Sequence, residues 1–259
     1  MDTVKDFGAI YCANGAYYQE QANISAYFLK KYNDINTTVF TNSAEKIKKE
    51  LFDNVFYIPR ESQYARFDKL YSIKNTPYNK TVYLDCDTVV IRNIEHVFIG
   101  LERFDLLVCH APVRINKKCV LAKDPAYWFF SQINGGVLFY KNSERVTDQF
   151  INAWLNDYKK NYPCIKRDQE SLQRILYESE LDFYILPPEY NFRAEFLNQA
   201  KGINFPVFII HSHKAVGKGA KYIEKKLIPR LIVDEGFVWS MDRGFKKLRR
   251  KVFRKVTAK

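Results

Sequence analysis

The 259-residue sequence contains no apolar run that approaches the roughly 20 residues of a transmembrane helix. Its first residues, MDTVKDFGAIYC, carry acidic side chains early and no long apolar stretch before a small-residue cleavage site, so we expect no signal peptide. The five cysteines include no CxxC pair, and no cysteine–histidine cluster with zinc-ligand spacing is present. These absences argue against a membrane-spanning protein and a zinc domain, and they predict a cytoplasmic protein with reduced thiols.

Positive charge is in excess, and it is concentrated at one end of the chain. Residues 244–259 (GFKKLRRKVFRKVTAK) contain eight lysines or arginines and no acid, and without them the net charge falls from +12 to +4. A basic segment with a narrow apolar stripe is typical of an interfacial helix on anionic lipid, and a merely solvated tail is the alternative. We expect this segment to hold the protein peripherally on the inner face of a membrane. Nucleic acid is not an expected partner, because the body has no recognisable nucleic-acid-binding motif.

Strand-like and helix-like segments alternate along the rest of the chain. Strands are predicted at 7–13, 37–41, 55–58, 81–84, 105–110, 132–140, 182–186 and 207–210, and helices at 17–32, 44–52, 62–74, 145–158 and 167–178. This alternation indicates βαβ units and an α/β, Rossmann-like sheet that is mixed but mostly parallel and flanked by helices. We expect a catalytic domain at 1–225 and a basic C-terminal helical appendage at 226–259.

Two carboxylates one residue apart end a buried strand in the stretch TVYLDCDTVVIRN, residues 81–93. Strand alternation places Asp85 and Asp87 on one side and Cys86 on the other. Burying two carboxylates so close together costs several kcal/mol each unless a cation compensates. Oxygen ligands suit Mg²⁺ or Mn²⁺, so a metal site is the leading interpretation, and an acidic turn that caps a helix is the alternative.

Five stretches in a fixed order carry a family resemblance: YARFDKLYSI (64–73), VYLDCDTVV (82–90), INGGVLFY (133–140), DQESL (168–172) and IIHSHKAVGKG (209–219). In these stretches the chain resembles glycosyltransferases of the GT-A fold. It is most similar to family 8, which includes glycogenin and the bacterial lipooligosaccharide galactosyltransferases. The resemblance implies transfer of a sugar from a UDP-sugar to a glycan or lipid-linked glycan acceptor, with Mn²⁺ or Mg²⁺ as cofactor and with retention of anomeric configuration.

The resemblance also implies roles for individual residues. The metal ligands are Asp85, Asp87 and a late-strand histidine; His211 fits best, and His213 remains open. Gln169 is expected nearest the anomeric carbon, with Asp168 on the sugar hydroxyls. The expected nucleotide pocket is Ala9, Tyr11 and Ala13, with Tyr11 or Tyr17 stacking on the base; the remaining donor contacts are Arg66, Lys69, Cys86, Asn134, Gly135, Gly136, Gly217 and Lys218.

Part of the pattern is missing, and other functions stay open. The family usually has His-x-x-Gly-x-x-Lys-Pro-Trp, whereas this chain has a wider His211–Gly217 spacing and no Pro-Trp after Lys218. A sugar nucleotidyltransferase would need a Gly-rich basic loop after the first strand, which CANGAYYQEQ lacks. A catalytically inactive nucleotide-sugar or membrane-binding module is the other alternative. The acceptor is expected to contact residues 111–127 and the C-terminal segment.

Overall fold

The computed structural model describes residues 6–58, 65–112, 125, 128–161, 167–193 and 206–231. Nine strands lie in these residues: β1 (Phe7–Cys12), β2 (Asn36–Thr41), β3 (Asn54–Tyr57), β4 (Lys80–Leu84), β5 (Thr88–Val90), β6 (Leu106–His110), β7 (Ile133–Lys141), β8 (Phe183–Ile185) and β9 (Ile209–His211). Seven of them form one sheet in the order β3-β2-β1-β4-β7-β6-β8, and β5 pairs with β9 in a second, two-stranded sheet.

The large sheet is mixed, as predicted. The β1–β2, β1–β4, β2–β3 and β6–β8 pairs are parallel, whereas β7 runs antiparallel to both β4 and β6. Its central strands are buried on both faces, which is typical of sheets covered by helices on each side. The carboxyl ends of β1 and β4 therefore meet at one edge, next to the start of β7.

Helices cover both faces of this sheet. The α-helices are α1 (Ala16–Tyr32), α2 (Ala65–Lys74), α3 (Ile151–Asn161), α4 (Asp168–Glu178), α5 (His213–Val216), α6 (Ala220–Tyr222) and α7 (Ile228–Leu231). π-helical turns at Glu144–Phe150 and Ile223–Leu227 lead into α3 and α7, and 3₁₀ segments lie at Lys49–Leu51, Glu95–Glu102 and Pro188–Asn191. The helix predicted at 44–52 is wrong, because only its last part forms a 3₁₀ turn.

The strand alternation divides the core into two layers. On one face, Tyr11 and Leu84 pack with Ala22 and Leu29 of α1. On the other face, Ile10 and Tyr83 pack with Leu70 of α2, Trp154 of α3 and Leu172 of α4. Consecutive residues of β1 and β4 thus belong to opposite layers, as the twofold period of a strand requires.

The two-stranded sheet fixes the position of the late histidine. Thr88 of β5 pairs with His211 of β9, and the Ser212 amide donates to the Asp87 carbonyl over 2.9 Å. A third apolar cluster supports this sheet from outside, with Phe28, Val89, Phe192, Ile210 and Leu227 among its members. The sheet therefore places the end of β9 directly beside the two acidic residues that follow β4.

The described start of the expected appendage belongs to the body. The helical segment that begins at Ala220 continues without interruption to Leu231, and Leu227 and Ile228 are buried in the third apolar cluster. The helical segment thus runs across the predicted boundary after residue 225, and a separate appendage at 226–259 stays a prediction. Residues 244–259 lie outside the described residues. No helix within the described residues is long and apolar enough to cross a membrane.

Candidate active site

A tight turn after β4 presents the two acidic residues. The amide and the hydroxyl of Thr88 both donate to the Asp85 carbonyl, over 3.0 and 2.8 Å. The Asp85 amide donates in turn to the Gly136 carbonyl of β7, over 2.8 Å. These hydrogen bonds hold the acidic pair against the glycine-rich start of β7.

Asp85, Asp87 and His211 form a compact group of candidate metal ligands. One ligand atom from each residue lies within 4.8 Å of the others. His211 Nε2 is 3.2 Å from Asp87 Oδ1 and 3.8 Å from Asp85 Oδ2. Asp87 and His211 are each only 3% exposed, so neither side chain is exposed to bulk water. Two carboxylates and one imidazole nitrogen suit Mn²⁺ or Mg²⁺, so these residues fit the predicted metal.

A chain of side-chain hydrogen bonds sets the tautomer of His211. The Gly136 amide and the Asn191 amide group both donate to Asn134 Oδ1, over 2.9 and 3.1 Å. Asn191 therefore turns its oxygen toward His211 Nδ1, 2.8 Å away. Because this oxygen only accepts, Nδ1 carries a proton, and Nε2 is the ring nitrogen that faces the two carboxylates. An oriented imidazole of this kind is typical of metal-binding histidines.

His213 also reaches the acidic pair, from the opposite side of Asp87. Its Nδ1 lies 3.1 Å from Asp87 Oδ2, but its side chain is 62% exposed. Burial alone would raise the pKa of Asp87, but His211, His213 and Arg193 together lower it to about 2. Asp87 is therefore a carboxylate at neutral pH, as a metal ligand must be.

Lys69 links the acidic pair to the sequence motif at 168–170. Its buried ammonium donates to the Gly135 carbonyl over 2.7 Å and lies 3.0 Å from Asp168 Oδ2 and 3.5 Å from Asp85 Oδ1. Burial alone would lower the pKa of Lys69, but Asp168 and Asp85 raise it above its ordinary value. Lys69 therefore stays charged between the two carboxylates.

Neighbouring groups also hold Asp85 and Asp168 in place. Tyr83 donates its hydroxyl to Asp85 Oδ1 over 2.8 Å, and burial together with Asp85 raises the pKa of Tyr83 well above its ordinary value. Arg66 Nε lies 3.5 Å from Asp168 Oδ1, and the Asp168 carbonyl accepts from Trp154 Nε1 over 3.0 Å. Both acids are thus fixed in orientation.

These groups open onto one cavity of about 440 Å³. Nine of the residues singled out in the sequence line it: Arg66, Lys69, Asp85, Cys86, Asp87, Asp168, Gln169, His211 and His213. Sequence reasoning did not single out the other seven, which are Cys12, Asn14, Tyr18, Gln21, Tyr83, Arg167 and Arg193. Tyr83 lies within the stretch 82–90 and Arg167 directly precedes the stretch 168–172, whereas the other five lie outside the five stretches.

The nucleotide pocket expected at the end of β1 needs correction. Ala9, Tyr11 and Ala13 are fully buried in the core layer that packs on α1. Tyr11 therefore presents no ring face to a ligand, and the base-stacking role predicted for it is wrong. The alternative residue, Tyr17, is 57% exposed. Cys12 and Asn14, which alternate with the buried residues, line the cavity instead.

The expected phosphate loop also lies apart from the cavity. The amides of Gly217 and Lys218 donate to the carbonyls of His213 and Ala215, over 2.9 and 3.1 Å, and so are not free to bind phosphate. The Lys218 ammonium lies 4.5 Å from the centre of the Tyr222 ring. Neither Gly217 nor Lys218 is among the described residues that line the cavity.

The start of β7 shapes the site through its backbone and through close packing. Asn134 is 1% exposed, and its oxygen is used within the hydrogen-bond chain that orients His211. A Cβ at Gly136 would lie 2.2 Å from His211 Cε1 and 2.6 Å from Asp85 Oδ2. One at Gly135 would lie 3.2 Å from Lys69 Nζ. The two glycines thus allow the acidic pair, Lys69 and His211 to approach β7.

No protein-family model matches the sequence, and no curated protein matches it. Among solved structures, apo mouse xyloside xylosyltransferase 1 is similar with a TM-score of 0.59 and 13% identity, over 80% of this chain and 98% of that one. The galactosyltransferase LgtC, solved with donor and acceptor sugar analogues, has a TM-score of 0.59 and 11% identity, over 93% and 99% of the two chains.

A third similar structure is that of the glycosyltransferase GlyE from Streptococcus pneumoniae TIGR4. It has a TM-score of 0.55 and 17% identity, over 79% of this chain and 54% of that one. At these identities the similarity establishes the fold alone. The chain has the GT-A glycosyltransferase fold, which confirms the fold predicted from the sequence.

Proposed function

We propose that this protein is a metal-dependent glycosyltransferase that moves a sugar from a UDP-sugar to a glycan or lipid-linked glycan acceptor, with retention of anomeric configuration. The observation that carries the proposal is the convergence of Asp85, Asp87, His211, Lys69 and Asp168 on one cavity of a GT-A fold. A structural ion-pair network would not require a histidine whose Nε2 is directed at two carboxylates by a hydrogen bond at Nδ1.

The residues that line the cavity suggest how a donor lies in it. Asp85, Asp87 and His211 would hold the divalent ion, which when bound neutralises the diphosphate of the donor. The aromatic Tyr18 lies in the wall near the end of β1, where a base can stack. Asp168 and Gln169, at the start of α4, supply a carboxylate and an amide for sugar hydroxyls. The nucleoside is therefore assigned to the β1 end and the sugar to the α4 end.

The state of the carboxylates favours retention by front-face displacement. Asp168 is paired with Lys69 and Arg66, and Asp85 with Tyr83 and Lys69, so both carboxylates are already engaged by neighbouring groups. Gln169 carries an amide, which is a poor base at neutral pH. In the proposed step the bond from C1 to the phosphate oxygen breaks and its electron pair stays on that oxygen. The acceptor oxygen bonds to C1, and its proton passes to the departing phosphate.

The acceptor and the membrane partner are proposed from the sequence. A glycan or glycolipid acceptor suits a basic, amphipathic segment at 244–259 that binds an anionic membrane surface. Such attachment would place the cavity near lipid-linked acceptors. Manganese is preferred over magnesium because the donor set includes an imidazole nitrogen.

A panel of UDP-sugars with Mn²⁺ tests the proposal, with hydrolysis and thermal stability measured in the absence of an acceptor. We expect slow hydrolysis of at least one UDP-sugar and a higher unfolding temperature with UDP and Mn²⁺ together. Stabilisation without turnover of any donor would instead indicate the inactive binding module. If no donor gives either turnover or stabilisation, the transferase is ruled out.

A further inference from the structure

The leaving diphosphate needs a cation that the expected loop does not supply in this chain. The amides of Gly217, Lys218 and Gly219 all donate to carbonyls within the same turn, and the Lys218 ammonium lies over Tyr222. A phosphate at the metal site would therefore have no contact with the loop as it is folded here. Charge that develops on a departing diphosphate must be stabilised by groups that already face the cavity.

Arg193 is such a group. The preceding residue, Phe192, is fixed against β9: its amide donates to the Ile209 carbonyl over 2.8 Å, and its carbonyl accepts from the His211 amide over 2.9 Å. The Arg193 side chain lines the cavity, and its Nη1 lies 3.5 Å from His211 Nε2. Its guanidinium is therefore directly beside the metal-binding group, and the backbone that carries it is anchored to the same strand as the histidine.

We propose that Arg193 binds the terminal phosphate of the leaving nucleoside diphosphate, in the place that the family pattern gives to Lys218. This inference rests on the proposed function. A guanidinium presents paired N–H groups that match two phosphate oxygens, and it stays charged at any working pH. It therefore suits the oxygen that keeps the electron pair of the broken C1–O bond.

The position of Arg193 explains how its guanidinium would become available to the phosphate. Nη1 lies close to the nitrogen that would bind the divalent ion. Once Asp85, Asp87 and His211 hold that ion, the guanidinium is repelled from this position by like charge. The donor diphosphate would then lie in the same cavity and would present an anion to the guanidinium. Arg193 would thus move from His211 to the phosphate when the donor complex forms.

Calorimetric titration of UDP and UMP in the presence of Mn²⁺ tests this role, with Arg193→Gln compared with the matched control Lys218→Gln. We expect Arg193→Gln to lose about 10- to 100-fold in UDP affinity, as for a lost charged hydrogen bond, and to bind UMP almost unchanged. Lys218→Gln is expected to bind both nucleotides like the unmodified protein. Arg193→Lys is expected to restore part of the UDP affinity. Mn²⁺ binding without nucleotide should persist in Arg193→Gln, which shows that the variant is folded with its metal site intact.

Three outcomes would overturn the inference. One is a loss of UDP affinity in Lys218→Gln with none in Arg193→Gln, which would return the role to the loop. Another is an equal loss of UDP and UMP affinity in Arg193→Gln, which would place Arg193 away from the terminal phosphate. The third is an unmodified protein that binds UDP with Mn²⁺ and an Arg193→Gln variant that binds it equally well. If the unmodified protein does not bind UDP at all, the proposed function itself is wrong, and the inference with it.

Discussion

At the scale of single residues, the candidate site depends on how little space Gly136 occupies. His211 and Asp85 lie against this glycine from the side on which a Cβ would point. Contacts of 2.2 and 2.6 Å are shorter than any real Cβ contact, and His211 is held by Asn191 and cannot simply move away. The glycine therefore sets the distance between the two ligands.

Gly136→Ala should weaken Mn²⁺ binding by at least about tenfold while the protein remains folded, because the methyl group separates His211 from Asp85. Gly135→Ala is the matched control on the same strand. Its Cβ would lie 3.2 Å from Lys69 Nζ and at ordinary contact distances from Leu172 and Asp168, so we expect a smaller effect. Metal titration of both variants by calorimetry measures this. Equal Mn²⁺ affinity in Gly136→Ala and the unmodified protein would contradict the proposed ligand set.

Asn191 should act on the metal site without touching the metal. Asn191→Leu removes the acceptor that keeps the proton on His211 Nδ1, and losses of about 10- to 100-fold in metal affinity are usual for such partners. Asn191→Asp keeps an acceptor at Nδ1 and should retain more of the affinity. Equal Mn²⁺ affinity in Asn191→Leu and Asn191→Asp would contradict this role of Asn191.

Functional residues could be predicted only where a local sequence pattern indicates them. Asp85 and Asp87 interrupt an apolar strand, and Asp168 and Gln169 belong to a recognisable stretch, so the sequence points to each. Asn191 and Arg193 are close to His211 only because Phe192 pairs with β9 across the fold. No spacing pattern in the sequence indicates that contact.

At the scale of secondary-structure elements, Asp53 joins three of them. Its Oδ2 accepts from the Thr37 amide over 2.7 Å and from the Thr37 hydroxyl over 3.0 Å, and it lies 3.1 Å from Lys30 Nζ. It thereby ties the start of β3 to β2 and to the end of α1. Burial would raise the pKa of Asp53, but hydrogen bonds from Thr37 and Lys30 lower it below its ordinary value.

Asp53→Ala should destabilise the protein at pH 7 by about 1–3 kcal/mol, because the Thr37 amide loses its acceptor. The pKa is lower in the folded state, so this contribution is complete above the unfolded value of about 3.9 and is lost as the pH falls below it. Urea unfolding of both proteins at pH 7 and below pH 4 measures this. The exposed Glu50→Ala serves as control, with an expected change within about 0.5 kcal/mol. A stability difference that stays constant over this pH range would contradict the assignment.

The helix wrongly predicted at 44–52 shows why a local pattern can fail to predict an element. Side chains of α1 bind the backbone of this segment: Gln19 accepts from the Lys46 amide over 2.9 Å, and Asn23 accepts from the Lys48 amide over 3.0 Å. Asn23 also donates to the Lys46 carbonyl. These long-range hydrogen bonds replace those of a helix, and a local sequence pattern contains no information about them.

At the scale of the whole molecule, the alternating pattern predicted the fold class but not every strand direction. β7 runs antiparallel to both β4 and β6. Local periodicity in the sequence does not indicate the direction in which a strand runs. The error at Ala9, Tyr11 and Ala13 has a similar origin. The side chains of a buried strand point alternately to its two faces. Which face lines the cavity depends on the elements that pack on each side.

The charge of the whole molecule leads to a prediction about membranes. Residues 244–259 carry eight of the positive charges, and each basic residue near an anionic surface contributes about 1 kcal/mol. Flotation with vesicles containing phosphatidylserine should recover the full chain, and 0.5 M salt should reduce recovery. Deletion of residues 244–259, or neutral vesicles, should abolish it. Equal recovery of the full and shortened chains would disprove the membrane role.

The most direct test of the central claim is the dependence of UDP binding on Mn²⁺. It is measured by calorimetry on the unmodified protein and on Asp87→Asn, His211→Gln and His213→Gln. We predict that Mn²⁺ tightens UDP binding at least about 100-fold in the unmodified protein, since the ion links the diphosphate to the acidic pair. Asp87→Asn and His211→Gln should lose this gain, whereas His213→Gln should keep most of it. UDP affinity that is the same with and without Mn²⁺ in all four proteins would contradict a metal-dependent transferase.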